Sequence, residues 1–198
     1  GPLQARVGLP RQVLPELLAS SGAELVVMGA FGAGGPVPES LGSTASRLLR
    51  ASTRPVLLAR ELGAPRLSKI LCALDLTPSC VEVLQVAMGV AIASGAELEC
   101  LFVLPDPLDH DPTGLLRGHL DFDRERILER ERPKIDALFE RARKGVEVPF
   151  AHQAAAEALW RRRAVRVGDP ASTIVGRAAA TDADLIVLGS HNLQGAQA

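Results

Sequence analysis

Three glycines and a serine near the start of the chain have a spacing that suits phosphate binding. Gly29 and Gly32 directly follow the apolar run 24–28, and after nine further residues Gly42 and Ser43 open a candidate helix. A glycine lets the backbone approach a ligand closely, and a helix N-terminus offers amide N–H groups to an anion. The pattern G-x2-G-x9-G-S therefore predicts a phosphate-binding loop, called the glycine loop (residues 29–44) below.

Motifs of catalytic nucleotide sites are missing from the sequence. The glycine loop contains no lysine and no G-x-x-x-x-G-K-S/T pattern, and Val37 occupies the third glycine position of a dinucleotide pattern G-x-G-x-x-G. No Ser–His–Asp or Cys–His arrangement with supporting motifs is present. We therefore predict binding without a catalytic residue, with slow hydrolysis of a bound nucleotide as the most activity expected. A loop without a ligand is the alternative.

Apolar runs alternate with helical segments along the chain. The predicted strands are residues 24–28, 54–59, 67–75, 97–104, 146–150, 164–167 and 184–188, and the predicted helices are 11–21, 43–52, 81–95, 122–144, 154–162 and the segment after Pro170. This alternation predicts an α/β fold, an open parallel sheet with helices on both faces. Ligands of such folds bind beyond the carboxyl ends of the strands. Helix 81–95 is predicted to bury the stripe Val83, Val86, Ala87, Val90 and Ala91.

Composition and charge exclude several classes of partner. Of the 198 residues 47% are hydrophobic and 23% charged, which is typical of a core-forming soluble protein. A net charge of −1 gives no electrostatic reason to expect a nucleic acid or a membrane as partner, and no apolar run reaches the roughly 18 residues of a membrane span. The basic turn 160–163 is interpreted as solvated, with a nucleic-acid patch as the alternative.

The cysteines and histidines predict no metal site. Cys72, Cys80 and Cys100 are interpreted as reduced core thiols, which favours a cytoplasmic location. The segment 109–111, Asp-His-Asp, is interpreted as an exposed acidic loop rather than as a metal site, and the other histidines share no metal-ligand spacing.

The chain contains an internal repeat. Residues 5–35 align without a gap to residues 165–195, and ten aligned pairs are identical. A match of this length predicts duplication with a period of 160 residues. By this interpretation residues 1–62 are the C-terminal part of a first repeat, and residues 67–198 are a second repeat without its last helix and strand.

The glycine loop and its flanks resemble the universal stress protein family. The sequences ILCALDLTPSC, GDPASTIVGRAAATDADLIVLGS and STASRLLRASTRPVLLAR resemble that family's first strand, its penultimate helix and strand, and its closing helix and strand. The resemblance implies an adenine nucleotide alpha hydrolase-like fold with strand order 3-2-1-4-5 and the ligand between strands 1 and 4. It also implies a tandem, ATP-binding regulatory protein of the stress response, with or without magnesium.

The resemblance also implies roles for individual residues. In the second repeat, Asp75 would hold the adenine amino group, Ala73 would line the base pocket and Val103 would lie near the base or ribose. Taken alone, Asp75 is better explained as a turn or helix-capping residue than as a ligand contact. The remaining implied contacts are Met28, Gly29 and Gly32 at the ribose and phosphates, Gly42, Ser43 and Thr44 at the phosphates, and Gly189 in the second loop, where Asn192 replaces the second glycine.

Two assemblies and a second function are compatible with this interpretation. The implied partner besides the adenine nucleotide is a second copy in a homodimer, or the other repeat in an intramolecular pseudo-dimer. The alternative function is a nucleotide-independent interaction module of the same fold, which dimerises through residues 55–59 as the edge strand of its sheet. The charged helix 122–144 is interpreted as an exposed face with i,i+4 pairs.

Overall fold

The computed structural model describes residues 5–32, 41–60, 66–105, 124–145 and 162–189, with positions 148, 153, 156 and 157. These residues form two compact units, which are described separately, one before position 65 and one from Pro65 to Gly189. The predicted segment 109–111, most of the predicted elements 146–150 and 154–162, and Asn192 lie outside the described residues.

The first unit is a parallel strand pair with two helices. Its elements are α1 (Pro10–Ser21), β1 (Val26–Gly29), α2 (Ser43–Ala51) and β2 (Val56–Ala59). The register pairs Val26 with Val56 and Gly29 with Ala59. The four predicted elements are confirmed within two residues at each end. Helix α2 is amphipathic and buries Ala45 and Leu48, the two positions that lie three residues apart on one helix face.

The second unit is a four-stranded parallel sheet. Its elements are β3 (Lys69–Leu74), α3 (Cys80–Ser94), β4 (Glu97–Leu104), α4 (Arg124–Gly145), β5 (Arg163–Val167), α5 (Pro170–Thr181) and β6 (Leu185–Leu188). The strand order is β5-β4-β3-β6, which is third, second, first and fourth in chain order. The predicted α/β class with parallel strands is confirmed. The full order 3-2-1-4-5 stays a prediction, because the described part of this unit adds no fifth strand to the sheet.

Both faces of this sheet are covered by helices. Ile70, Cys72 and Leu74 alternate along β3 and pack with α3 and α4 in the main core. Leu71 and Ala73 point to the opposite face and are also buried, on the side where α5 contacts β3 and β4. Because parallel strands covered on both faces are apolar at every position, β3 is a continuous apolar run.

The predicted buried stripe of α3 is partly wrong. The structure buries Ala87 and Ala91 as predicted, but the larger buried side chains are Leu84 and Met88, and Val86 is 39% exposed. Helix α3 is apolar on almost its whole circumference, so the sequence pattern does not locate the face that packs on the sheet. The C-terminus is as predicted, with Gly95 in the left-handed conformation at φ 68°.

The described cysteines and helices agree with the sequence in two respects. Cys72, Cys80 and Cys100 are buried free thiols, as predicted. A hydrogen bond with Cys100, together with burial, raises the pKa of the Cys72 thiol. No helix among the described residues is long and apolar enough to cross a membrane.

Helices α1 and α5 share their geometry at aligned positions. The bounds Pro10–Ser21 and Pro170–Thr181 are offset by 160 residues, the alignment period. The residues aligned before them, Gly8 and Gly168, have φ of 150° and 153°, a backbone conformation that favours glycine. In α5 the predicted cap is confirmed, because the Asp169 carboxylate accepts a hydrogen bond from the Ser172 amide at 2.9 Å.

Asp184 fixes the start of the central strand. Its carboxylate accepts hydrogen bonds from the amides of Ser68 at 2.8 Å and Lys69 at 2.9 Å. The amide of Asp184 donates in turn to the Lys69 carbonyl. The Ser68 and Lys69 amides hold the pKa of the Asp184 carboxyl below its usual value. One side chain therefore sets where β6 begins against β3.

We predict that Asp184→Asn destabilises the protein at pH 7 because an amide oxygen replaces an anionic acceptor of two N–H groups. A lowered folded pKa contributes stability that is complete above the unfolded pKa of about 3.9 and is lost as the pH falls through the folded pKa. Urea unfolding should therefore show a difference between wild type and variant that is constant down to about pH 5 and shrinks at lower pH. Glu24→Gln, an exposed control, should show no such difference, and a pH-independent penalty for Asp184→Asn would contradict the assignment.

Candidate functional site

The two ends of the glycine loop meet beside strand β1. Ala30 is buried directly after the strand, and its amide donates to the Ala59 carbonyl at 2.8 Å. The amide of Gly42 then donates to the Ala30 carbonyl at 2.9 Å. This hydrogen bond joins the residue at which the chain leaves β1 to the residue that begins α2. The helix tip is therefore held against the carboxyl end of the strand.

Gly42 is required by this contact. A Cβ atom built on Gly42 would lie 3.2 Å from the Ala30 carbonyl oxygen and 3.4 Å from the Gly32 amide nitrogen. Both neighbours are backbone atoms, so a larger residue would push the loop ends apart. At Gly32, by contrast, a Cβ would meet no described atom within 4 Å, and the residue is exposed. The described residues leave space at Gly32 in which another molecule can approach the backbone.

The tip of α2 is open at its first turn. Ser43 is exposed and Thr44 is half-buried. The first amides of a helix have no acceptor within the helix, and Gly42 at the cap position has no side chain to supply one. Ser43 and Thr44 are thus placed to offer backbone and hydroxyl groups to an anion.

The structure adds a basic residue that the sequence analysis missed. A groove of about 570 Å³ runs along α2 and is lined by Ser43, Ser46, Arg47, Arg50 and Ala51. Arg47 is one helical turn after Ser43 and therefore on the same face. The i,i+4 spacing of Ser43 and Arg47 is visible in the sequence, but Arg47 lies beyond the glycine loop, within which a phosphate-binding cation was expected.

In the second unit, three adjacent strands bring predicted residues to one edge. Leu74 on β3 pairs with Phe102 on β4, and Ala73 pairs with Leu188 on β6. Asp75 therefore lies at the carboxyl end of β3, with Val103 on one side and Gly189 on the other. The chain passes from β3 to β4 on one side, whereas β6 lies on the other side. Such a change of direction marks the ligand crevice in open α/β sheets.

Asp75 takes part in the turn that starts α3. Its Oδ1 atom accepts hydrogen bonds from the Thr77 amide at 3.0 Å and the Thr77 hydroxyl at 2.6 Å. The turn role that the sequence left open is thus present, and the adenine contact remains a prediction. Burial, with a smaller contribution from the Asp75 carboxylate, raises the pKa of Cys80 to about 11. The Cys80 thiol is therefore protonated at neutral pH and is no nucleophile.

Gly189 and Ala73 are small where the sheet is crowded. A Cβ on Gly189 would lie 3.1 Å from Cγ2 of Val83 on α3, which leaves little room for a side chain. Ala73 is 7% exposed and lies two residues before Asp75 on the same face of β3. Neither residue therefore adds a large side chain to the protein surface at the carboxyl ends of β3 and β6.

The predicted site residues thus form two sets. Met28, Gly29, Gly32, Gly42, Ser43 and Thr44 belong to the first unit, and Ala73, Asp75, Val103 and Gly189 belong to the second. Among the described residues, no group of three or more His, Cys, Asp or Glu side chains is arranged to hold a metal ion.

We predict that Gly42→Val opens the glycine loop. The added side chain would press on the Ala30 carbonyl and break a hydrogen bond whose net contribution is about 1 kcal/mol. The backbone amide at position 42 should then exchange with solvent about fivefold faster, as measured by hydrogen exchange. Gly32→Val is the matched control, because its side chain meets no described atom, and should leave that exchange rate unchanged. Equal rates in the two variants would contradict the closed loop.

Comparison with known proteins gives one family match. The chain matches the sequence model of the universal stress protein family over residues 2–60 and 67–198. A search of curated proteins finds no significant match.

Several solved structures share the fold of this chain. A universal stress protein from Pseudomonas aeruginosa UCBPP-PA14 superposes with a TM-score of 0.64 at 20% identity, over 96% of this chain and 62% of that one. A protein from P. aeruginosa PAO1 gives 0.59 at 19% identity, over 96% and 61%. A universal stress protein from Archaeoglobus fulgidus DSM 4304 gives 0.53 at 20% identity, over 91% and 55%. The chain thus spans about three fifths of the length of these proteins.

Proposed function

The chain belongs to the universal stress protein family, and from this premise we propose that it is an ATP-binding regulatory protein of the stress response. The glycine loop supplies the phosphate contacts. The observation that carries the proposal is the 2.9 Å hydrogen bond from the Gly42 amide to the Ala30 carbonyl. It sets the open first turn of α2 beside the end of β1, where ligands of parallel sheets bind.

In this proposal the phosphate groups are held mainly by backbone. The amides at the α2 tip and the Ser43 and Thr44 hydroxyls donate hydrogen bonds to the phosphate oxygens, and Gly42 keeps the tip in place. Met28, Gly29 and Gly32 border the ribose and phosphates, because glycine lets the ligand approach the chain closely. Arg47 adds a positive charge on the exposed face of the same helix. ATP binds alone or with magnesium.

The second unit would hold the base-contacting residues of a separate site of the same family type. Val103, Asp75 and Gly189 end three neighbouring strands, and Ala73 lies below Asp75. Thr77 fixes the orientation of the Asp75 carboxylate, a fixed acceptor that suits the adenine amino group. The shared geometry of α1 and α5 supports the proposed tandem repeat, with strand order 3-2-1-4-5 in each complete copy.

An interaction module is the second candidate. Strand β2 is half-buried at all four positions and pairs only with β1 among the described residues of its unit. A free strand edge of this kind can pair with a second copy. The module would dimerise through residues 55–59 in a homodimer or an intramolecular pseudo-dimer without needing a nucleotide.

Equilibrium ATP binding to the Gly42→Val/Ser43→Ala variant tests the leading proposal. We expect at least about tenfold weaker binding than in wild type, because the loop opens and one hydroxyl donor is lost. The matched control is Gly176→Val, in α5, where an added Cβ meets nothing within 4 Å, and it should bind ATP as wild type does. No affinity in either protein would reject the proposal and favour the interaction module.

Asp75→Asn tests the base contact separately. The amide keeps an oxygen acceptor for the Thr77 turn but loses the charge that would hold the adenine amino group. We expect the ratio of ATP to GTP affinity to fall about twofold to thirtyfold, since hydrogen bonds to charged groups contribute about 1.5–3 kcal/mol against about 1 for neutral ones. The affinity for inorganic triphosphate should not change. An unaltered ATP to GTP ratio would assign Asp75 to the turn alone.

A further inference from the structure

Five arginines surround a cavity beside β5, the first strand in the sheet order of the second unit. The cavity has a volume of about 640 Å³ and is called the arginine cavity below. It is lined by Glu99, Leu128, Arg132, Arg162, Arg163, Ala164, Val165, Arg166 and Arg177. These residues come from β4, α4, the β5 segment and α5. The cavity therefore exists only when four parts of the chain come together.

Alternation along β5 puts arginines on both faces of the sheet. Val165 packs into the main core with α3 and α4, so Arg163 points to that face and forms an ion pair with Asp136 on α4. Successive side chains of a strand point to opposite faces. Arg162 and Arg166 therefore share the other face, where Arg177 of α5 reaches Glu99.

Three of the five guanidinium groups are held by carboxylates. Arg177 donates from Nε and Nη2 to the two oxygens of Glu99 at 2.8 and 3.0 Å. Arg163 pairs with Asp136, and its guanidinium carbon lies 4.8 Å from the centre of the Phe139 ring. Arg162 pairs with Glu97. Paired guanidinium groups are oriented before any ligand arrives, which lowers the cost of binding.

Two arginines carry charge that no described carboxylate offsets. Within the described residues, Arg132 and Arg166 have no ion-pair partner, and Arg166 donates from Nη1 to the Val165 carbonyl. Five cations against the three carboxylates paired with them leave a net charge of about two positive. Like charges held together at one cavity repel each other, and a multivalent anion would relieve the repulsion.

We propose that the arginine cavity binds a small soluble oligophosphate. Guanidinium groups present planar pairs of donors that match phosphate oxygens, and several of them from different elements suit an anion with more than one phosphate. Most of the cavity lies away from the proposed base site, although Arg166, near the carboxyl end of β5, pairs with Val103. Glu99, Arg162 and Arg163 lie at the amino-terminal part of their strands, whereas Asp75 and Gly189 lie at the carboxyl ends.

Calorimetric titration with inorganic triphosphate tests this proposal in a protein that also carries Gly42→Val/Ser43→Ala, so that the glycine loop does not contribute. Binding should persist in that protein and weaken as salt rises. Adding Arg132→Ala/Arg166→Ala should weaken it at least about tenfold, because two unpaired cations are lost. Adenosine monophosphate should bind much more weakly than triphosphate, which separates recognition of the phosphate chain from recognition of the nucleoside.

The control variant is Arg54→Ala/Lys144→Ala, which removes two exposed cations outside the cavity. It should bind triphosphate as its parent does. Thermal unfolding midpoints equal to the parent's would show that both double variants are folded. Absence of triphosphate binding, equal affinity after Arg132→Ala/Arg166→Ala, or an equal loss in the control would overturn the proposal. So would binding of an acidic peptide by a protein that ignores triphosphate, since the surface would then recognise carboxylates on a partner protein.

Discussion

Parallel strand pairing is the constraint on which the rest of this molecule depends. Every described strand pair is parallel, so within each unit the carboxyl ends of the strands gather at one edge and the amino ends at the other. Connections between parallel strands must cross the sheet, and helices form those crossings. The glycine loop and Asp75 lie at carboxyl ends for this reason. The same rule places Arg162 and Arg163, at the start of β5, at the opposite edge, whereas Arg166 lies near the carboxyl end of that strand.

Strand β3, at the centre of the second unit, has the sequence that parallel pairing on both sides requires. Strand β3 has neighbours on both sides and helices on both faces, so its residues from Ile70 to Leu74 are all buried. A strand in this position needs its register set from its ends. The Asp184 carboxylate does this at the amino end by capturing two amides. At the other end, the Asp75 carboxylate fixes the turn by which the chain leaves the strand.

The strands and most helix bounds could be predicted from the sequence because apolar runs, glycines and prolines act locally. The packing face of α3 could not, since its valines, leucine and methionine leave no polar face to exclude. Half of the candidate site was predictable for the same reason: Gly29, Gly32 and Gly42 belong to one short pattern. The arginine cavity could not be predicted, because its residues span positions 99 to 177. Only the folded chain brings these residues together. The interpretation of residues 160–163 as a solvated turn gave no reason to place Arg162 and Arg163 in a binding site.

The two candidate anion sites differ in how they generate affinity. At the glycine loop, the donors are backbone amides, and one hydrogen bond between Gly42 and Ala30 sets their position. Such a site depends on loop geometry and changes little with salt. At the arginine cavity the donors are side chains, ordered by carboxylates that also cancel most of their charge. Its affinity depends on the two unpaired arginines and on screening by salt. Together the two proposals describe a chain that would respond to a nucleotide through shape and to a polyanion through charge.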